Sequence, residues 1–197
     1  MKVGGIELGG VLGGYTIVNK PATSLPQELA SAIDVVNNSI LGAVYEPIWY
    51  VGHQLVKGTN YMLICNVDRA TKVKSKGVVA VVINIPPGDG MPAINQAKIV
   101  DVIEEASLRD EVKVIFEAAT RSIIGVKCKP LVFLGTQIVK GINYHFIAEE
   151  TVIYPGADPR AVMITINVFN KQTTIVGIEP MHKDNTGALG CPLGEWP

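Results

Sequence analysis

The stretch GHQLVKGTNYMLI at residues 52–64 returns, altered but legible, as GTQIVKGINYHFI at residues 135–147. In both, aromatic and β-branched residues flank a short glycine-containing turn, the pattern of a β-hairpin. Sliding the chain against itself by 83 positions pairs Ser24–Ile64 with Ser107–Ile147 without a gap. Internal duplication is the simplest account, and 197 residues suffice for two small units.

Each quoted stretch follows a segment of helical periodicity. SLPQELASAIDVVNNSILG at 24–42 faces SLRDEVKVIFEAATRSIIG at 107–125. Leu29, Ile33, Val36 and Ile40 line one face of the first, and Val112, Phe116, Ala119 and Ile123 keep that spacing in the second. Ser24 and Ser107 stand where N-caps accept from backbone N–H groups, and Gly42 and Gly125 stand where a helix ends. After the helices come apolar runs: PIWYVGHQ, NYMLICNV, GVVAVVINI and QAKIVDVIE, then PLVFLGTQ, NYHFIAEE, AVMITINVF and TTIVGIEPM. Each copy thus reads as one helix followed by four strands. An apolar helix stripe covered by an antiparallel sheet makes the expected class α+β: two units, each an α-helix wrapped by a four- to five-stranded antiparallel sheet. The boundaries fall at 1–105 for a unit with a glycine-rich N-terminal arm, 106–187 for the second unit and 188–197 for a tail. Almost no linker separates AKIVDVIE at 97–104 from Ser107.

Composition narrows the function. Net charge is −1, only 18% of residues are charged, and no run of Lys and Arg would follow a phosphate backbone, so nucleic acid is not an expected partner. Apolar residues reach 48%, yet runs such as GVVAVVINI at 77–85 stop far short of the roughly 20 residues a membrane helix needs. The glycine-broken start MKVGGIELGGVLGG lacks the compact apolar core of a secretory signal, and the expectation is a soluble protein of the cytoplasm. Cys65, Cys128 and Cys191 cannot all pair within the chain and read as thiols in a reducing compartment. No motif ties one of them to His53, His145 or His182, and those histidines have no metal-ligand spacing. No metal, cofactor or catalytic residue is expected.

Gln54-Leu55-Val56-Lys57-Gly58 fits the pattern Q-x-V-x-G of the cystatin superfamily of cysteine-protease inhibitors, and Gln137-Ile138-Val139-Lys140-Gly141 fits it again. Both continue into Asn-Tyr, at 60–61 and 143–144. Upstream, VLGGYTIVNKPAT at 11–23 resembles the glycine trunk and Lys-Pro-Ala-Thr entry of the stefins, the intracellular branch of that superfamily. Downstream, NIPPGDG at 84–90 is similar to the stefin second hairpin loop. A tandem arrangement departs from the single-unit stefin layout, and FNKQT at 169–173 has neither the Trp of secreted cystatins nor the Leu-Pro of stefins.

The resemblance implies a wedge. Trunk and two hairpin loops would line up along one edge and enter the cleft of a papain-like cysteine protease, inhibiting it reversibly and competitively. Val11 and Leu12, before Gly13-Gly14, would fill substrate pockets. Gln54, Leu55, Val56, Lys57 and Gly58 would form the first loop, and Pro86, Pro87 and Gly88 the second. In the second unit the counterparts are Gln137, Ile138, Val139, Lys140 and Gly141, with no trunk. The residue types suit such a plug: an apolar tip gains by leaving water, and glycine permits positive φ and close main-chain approach. Pre-formed hairpins also lower the ordering cost of association.

A different class remains open at this stage. Duplicated units of this kind also occur in proteins resembling latexin, which act on another peptidase class, so the alternative is a non-inhibitory binding or assembly module or a latexin-like inhibitor of another peptidase class, with domain-swapped or self-associated forms among its states. An enzyme is the reading with least support.

Overall fold

A computed structural model describes residues 14–69, 76–100 and 109–181. The elements are β1 (Tyr15–Pro21), α1 (Gln27–Ser39), β2 (Ala43–Val56), β3 (Gly58–Arg69), β4 (Lys76–Ile85), β5 (Ala93–Val100), α2 (Asp110–Thr120), β6 (Val126–Val139), β7 (Gly141–Val152), β8 (Arg160–Phe169) and β9 (Gln172–Pro180). They build two antiparallel sheets, β1-β2-β3-β4-β5 and β6-β7-β8-β9.

Alternation along the strands sorts the core into layers. In β3 and β4, Tyr61, Leu63, Cys65, Val79, Val81 and Ile83 face Leu29, Ala32, Ile33 and Val36 of α1. Their neighbours Met62, Ile64, Ala80 and Val82 point the other way and share one buried cluster with Leu131, Val132, Leu134, Ile147, Ala161 and Met163 of the second sheet. The opposite face of that second sheet packs Phe133, Phe146, Val162 and Ile164 against Phe116 and Ala119 of α2. The sheets therefore lie face to face, with one helix on each outer side.

This overturns the α+β class expected from the sequence. More than half of the described residues are strand and about one in six is helical, so the chain is mostly β, two antiparallel sheets with only two helices, rather than two helix-wrapped units. The physical reason is coverage. A 13-residue helix spans ~20 Å and can bury one face of a sheet, whereas the central strands are apolar on both. The second face is buried by the other sheet, as in a β-sandwich.

The duplication extends to irregularities. β2 pairs with β3 through register shifts at Pro47/Trp49 and Tyr50/Gly52, and β6 pairs with β7 through shifts at Pro130/Val132 and Phe133/Gly135, the same positions 83 residues on. The first sheet has an additional strand, β1, within a segment the sequence reading treated only as an entry arm. β1 lies so close to β2 that a Cβ on Gly52 would sit 2.2 Å from the Thr16 carbonyl oxygen. β1 carries its own shift between Ile17 and Lys20, where Asn19 adopts φ 48 and accepts a 3.0 Å hydrogen bond from Trp49 Nε1.

Helix ends differ from expectation. Pro26, not Ser24, occupies the N-cap of α1 and makes no side-chain cap bond; α2 begins after Arg109, and Ser107 lies outside the described residues. Pro26 has φ −52, which suits the entry to a helix without a capping hydroxyl. Gly42 and Gly125, at φ 88 and 81, turn the chain from the helix region into β2 and β6.

Candidate functional site

At one end of the first sheet three elements converge. Tyr15, the first residue of β1, stands opposite Gln54 on β2, which places Gly14 beside the β2–β3 turn. Gly58, at φ 94, closes that turn against the start of the β4–β5 loop: a Cβ there would lie 2.2 Å from the Ile85 carbonyl oxygen and 2.8 Å from Pro86 Cα. Only glycine satisfies both the left-handed φ and the contact. The trunk end at Gly14, the turn Gln54–Gly58 and the loop Pro86–Gly88 thus come together. Val11, Leu12 and Gly13 lie outside the described residues.

Within this end, Lys57, Pro87 and Gly88 are exposed, and Leu55, Val56 and Pro86 are half-buried. Gln54 is buried behind the tip, so its place is in the support of the turn rather than on its surface. Met91, 71% exposed on the β4–β5 loop, adds an apolar side chain that the sequence reading passed over.

A row of amides stiffens the turn. Asn60 stands between Gln54 on β2 and Asn84 on β4, and its Oδ1 accepts from Asn84 Nδ2 at 2.9 Å and Asn95 Nδ2 at 3.2 Å. The second sheet repeats the device with Gln137, Asn143 and Asn167. Asn167 Nδ2 donates to Asn143 Oδ1 at 2.8 Å and to the Lys140 carbonyl at 3.3 Å, and Asn143 Nδ2 to Gln137 Oε1 at 3.4 Å. Sequence reasoning noted Asn60 and Asn143 but missed Asn84 and Asn167, although INI and INV share the 83-residue offset.

The second sheet ends in two turns, without a described strand in the place of β1. Gly141, at φ 91, would place a Cβ 2.5 Å from the Val168 carbonyl oxygen, so the β6–β7 turn is seated on the β8–β9 turn as its counterpart is on the β4–β5 loop. In the β8–β9 turn both Asn170 and Lys171 have positive φ, as a two-residue type I′ hairpin requires. Here the apolar tip is bare: Ile138 is 73% exposed, Val139 43% and Phe169 41%. The Lys140 ammonium sits 5.5 Å from the centre of the Phe169 ring.

Titratable groups elsewhere are held quiet by burial. The Tyr50 hydroxyl lies 2.9 Å from His53 Nδ1; burial raises the Tyr50 and Tyr61 pKa values and lowers that of His53. Burial pushes the Cys65 thiol up to about 12 and that of Cys128 to about 11, so both are protonated at neutral pH and neither is a ready nucleophile. Among the described residues no cluster of three His, Cys, Asp or Glu could hold a metal ion, and no helix is long and apolar enough to cross a membrane. Grooves open to solvent lie elsewhere, along the seam of α2 with β6 and β7 (Glu117, Arg121, Lys127, Glu149) and of α1 with β2 (Asn37, Tyr45, Glu46). Neither groove is lined by the residues of the first sheet's end. No protein-family model matches the chain, and no curated protein matches it.

Proposed function

We propose that the protein is a reversible, competitive inhibitor of papain-like cysteine proteases that inserts the end of its first sheet into the active-site cleft. One observation carries this reading: the Q-x-V-x-G turn, closed by Gly58, is packed on Ile85 and Pro86 beside Gly14, so the three segments form one continuous edge. Such an edge offers Leu55, Val56, Pro87 and Met91 to an apolar cleft, while the Asn60 row holds the turn and limits the entropy lost on binding. The reading needs no cofactor, metal, nucleic acid or membrane. The free thiols Cys65 and Cys128 accord with a reducing compartment, and the cytoplasm is the proposed location.

The test is a titration of papain with the full-length chain, following residual hydrolysis of a small fluorogenic substrate. Stoichiometric loss of activity is expected, weakened at least hundredfold by Leu55→Asp with Val56→Asp, substitutions at half-buried tip positions. No inhibition at micromolar protein defeats the proposal.

A second reading, a non-inhibitory binding body, draws on the face-to-face packing of the sheets and the ion pair between Lys98 on β5 and Glu179 on β9, which join the two copies. Recovery of a metallopeptidase and no cysteine protease on the immobilised chain would favour it.

A further inference from the structure

The two sheets meet through an apolar cluster, and the duplication supplies an internal comparison for the polar positions beside it. Met62 and Val82 of the first sheet lie in that cluster; 83 residues on, the same strand positions hold His145 and Thr165. Met181, also in the cluster, has Lys98 as its counterpart, and Gln96 has Glu179. The four departures come together. Thr165 stands opposite His145 in the ladder, with its Oγ1 3.1 Å from His145 Nδ1, and Lys98 of β5 pairs with Glu179 of β9 across the junction. The Lys98 ammonium is close enough to act on the His145 ring, whose Nε2 is buried with no hydrogen-bond partner among the described residues. Around the ring, β5 brings Lys98, β9 its partner Glu179, β8 the uncharged Thr165 and β6 the facing Gly135, while Glu149 and Glu150 follow on β7 itself. A proton added there puts an imidazolium beside an ammonium where burial already disfavours charge, a conflict to which Met62 and Val82 are immune.

We infer that the junction between the sheets is an acid-sensitive latch: protonation of His145 beside Lys98 loosens the sheet-to-sheet contact while the helix-covered cores stay closed, and the loosening reaches the proposed protease-binding edge through β1. Only the last step rests on the reading of that edge as a cleft insert. The path runs through packed residues. Tyr15 and Ile17 of β1, with Trp49 of β2, pack against the junction cluster, and β1 is the strand that brings Gly14 beside the Gln54–Gly58 turn. Leu63, Cys65 and Val81 belong instead to the cluster under α1, and Phe146 and Val162 to the one under α2. Above pH 6.5 the ring is neutral whether the sheets are joined or parted; below it the parted form takes up the proton more readily, so opening gains at most about tenfold per pH unit for one proton.

The experiment uses the full chain with Cys128→Ser, Cys191→Ser and Ala80→Cys, which leaves one thiol buried at the junction and one, Cys65, buried under α1. Both are pulsed with dithiodipyridine, a reagent that works in acid, from pH 7.5 to 5 and located by mass spectrometry. Labelling at position 80 is expected to rise about tenfold over that range while Cys65 stays protected. A second readout needs no added thiol: in a Trp196→Phe chain the Trp49 emission shifts to the red with far-UV circular dichroism unchanged. His145→Met with Thr165→Val, the pair the first sheet carries as Met62 and Val82, should abolish both changes even though His53, whose pKa burial also lowers, is still present. Papain inhibition by the wild-type chain, divided by that of this double variant to remove the protease's own pH dependence, should fall between pH 7.5 and 5. Labelling and emission indifferent to pH refute the latch. So does a rise at position 80 matched by Cys65, which is global unfolding, and so does a rise that survives in the double variant, which assigns the proton to another group. If the latch opens and the inhibition ratio holds, the coupling to the edge is refuted and the latch stands. If neither chain inhibits papain at either pH, the functional reading falls and the coupling with it, while the labelling still decides the latch.

Discussion

Replacing Gly58 by alanine tests the assembly of the first end directly. Two costs act there. At φ 94 an L side chain meets its own backbone, a strain of ~1–2 kcal/mol. The added Cβ would also lie 2.2 Å from the Ile85 carbonyl oxygen, more than 1 Å inside ordinary contact, and the obstacle is backbone. Relief requires the β2–β3 turn to lift from the β4–β5 loop and weaken the Thr59–Ile85 ladder pair, for a further ~1–3 kcal/mol. Gly42 supplies the control: its φ is 88, almost the same, yet a Cβ there meets nothing within 4 Å. Gly42→Ala should therefore cost only the ~1–2 kcal/mol backbone part, and Gly58→Ala about 2–5 kcal/mol in all. Urea unfolding followed by far-UV circular dichroism measures both. At concentrations where both variants remain folded, papain inhibition should fall more than tenfold for Gly58→Ala and hold for Gly42→Ala, which sits at the other end of β2. Equal urea midpoints for the two variants would refute the claim that the turn is seated on the loop.

Three further outcomes follow from buried polar groups. Asn60→Ala leaves Asn84 and Asn95 without their shared acceptor and should cost ~1–3 kcal/mol in the same urea assay, with Asn143→Ala behaving alike in the second sheet. Arg160→Met strands the buried carboxylate of Glu150 and should destabilise by about 3–5 kcal/mol, more than Glu150→Gln with Arg160→Met together, read as thermal midpoints. Burial first, then the nearby Lys98 ammonium, lowers the His145 pKa from 6.5, so the unfolded chain binds the proton more readily. The stabilisation is present above pH 6.5 and lost as pH falls through the lower, folded value; His145→Gln should flatten that acid limb in urea midpoints measured from pH 7.5 to 5.

The hairpins were legible because two signals coincide in them: apolar runs of strand length and a glycine between, repeated at one offset. The helix stripes were legible for the same kind of reason, since Leu29, Ile33, Val36 and Phe116 keep a period that only a helix places on one side. The caps were not, because a serine three residues before a helix competes with a proline that already has the φ the entry requires. β1 was hidden as a strand by its own irregularity: Asn19 at φ 48 and the shift after Ile17 interrupt the alternation in YTIVNKP, and Lys20-Pro21 looks like loop. The motif places Gln54 in the binding loop, whereas its position on β2 opposite Asn60 puts it, buried, behind the tip.

What covers the back of each sheet needed the structure. In GVVAVVINI, Val79, Val81 and Ile83 pack toward α1 while Ala80 and Val82 pack toward the other sheet, so the run is apolar because both faces are buried. A helix and a sheet bury the same kinds of side chain, and periodicity cannot tell one cover from the other. Yet the outcome bears on function. With one face of each sheet occupied by a helix and the other by its companion sheet, partners are left the turns at the sheet ends, the strand edges and the outer helix surfaces. Of these, the sheet ends hold the glycine-seated turns, the Asn rows and the apolar tips in one place. A partner that needs a rigid, narrow and apolar insert would find it at those ends, where the sandwich behind each turn resists its collapse.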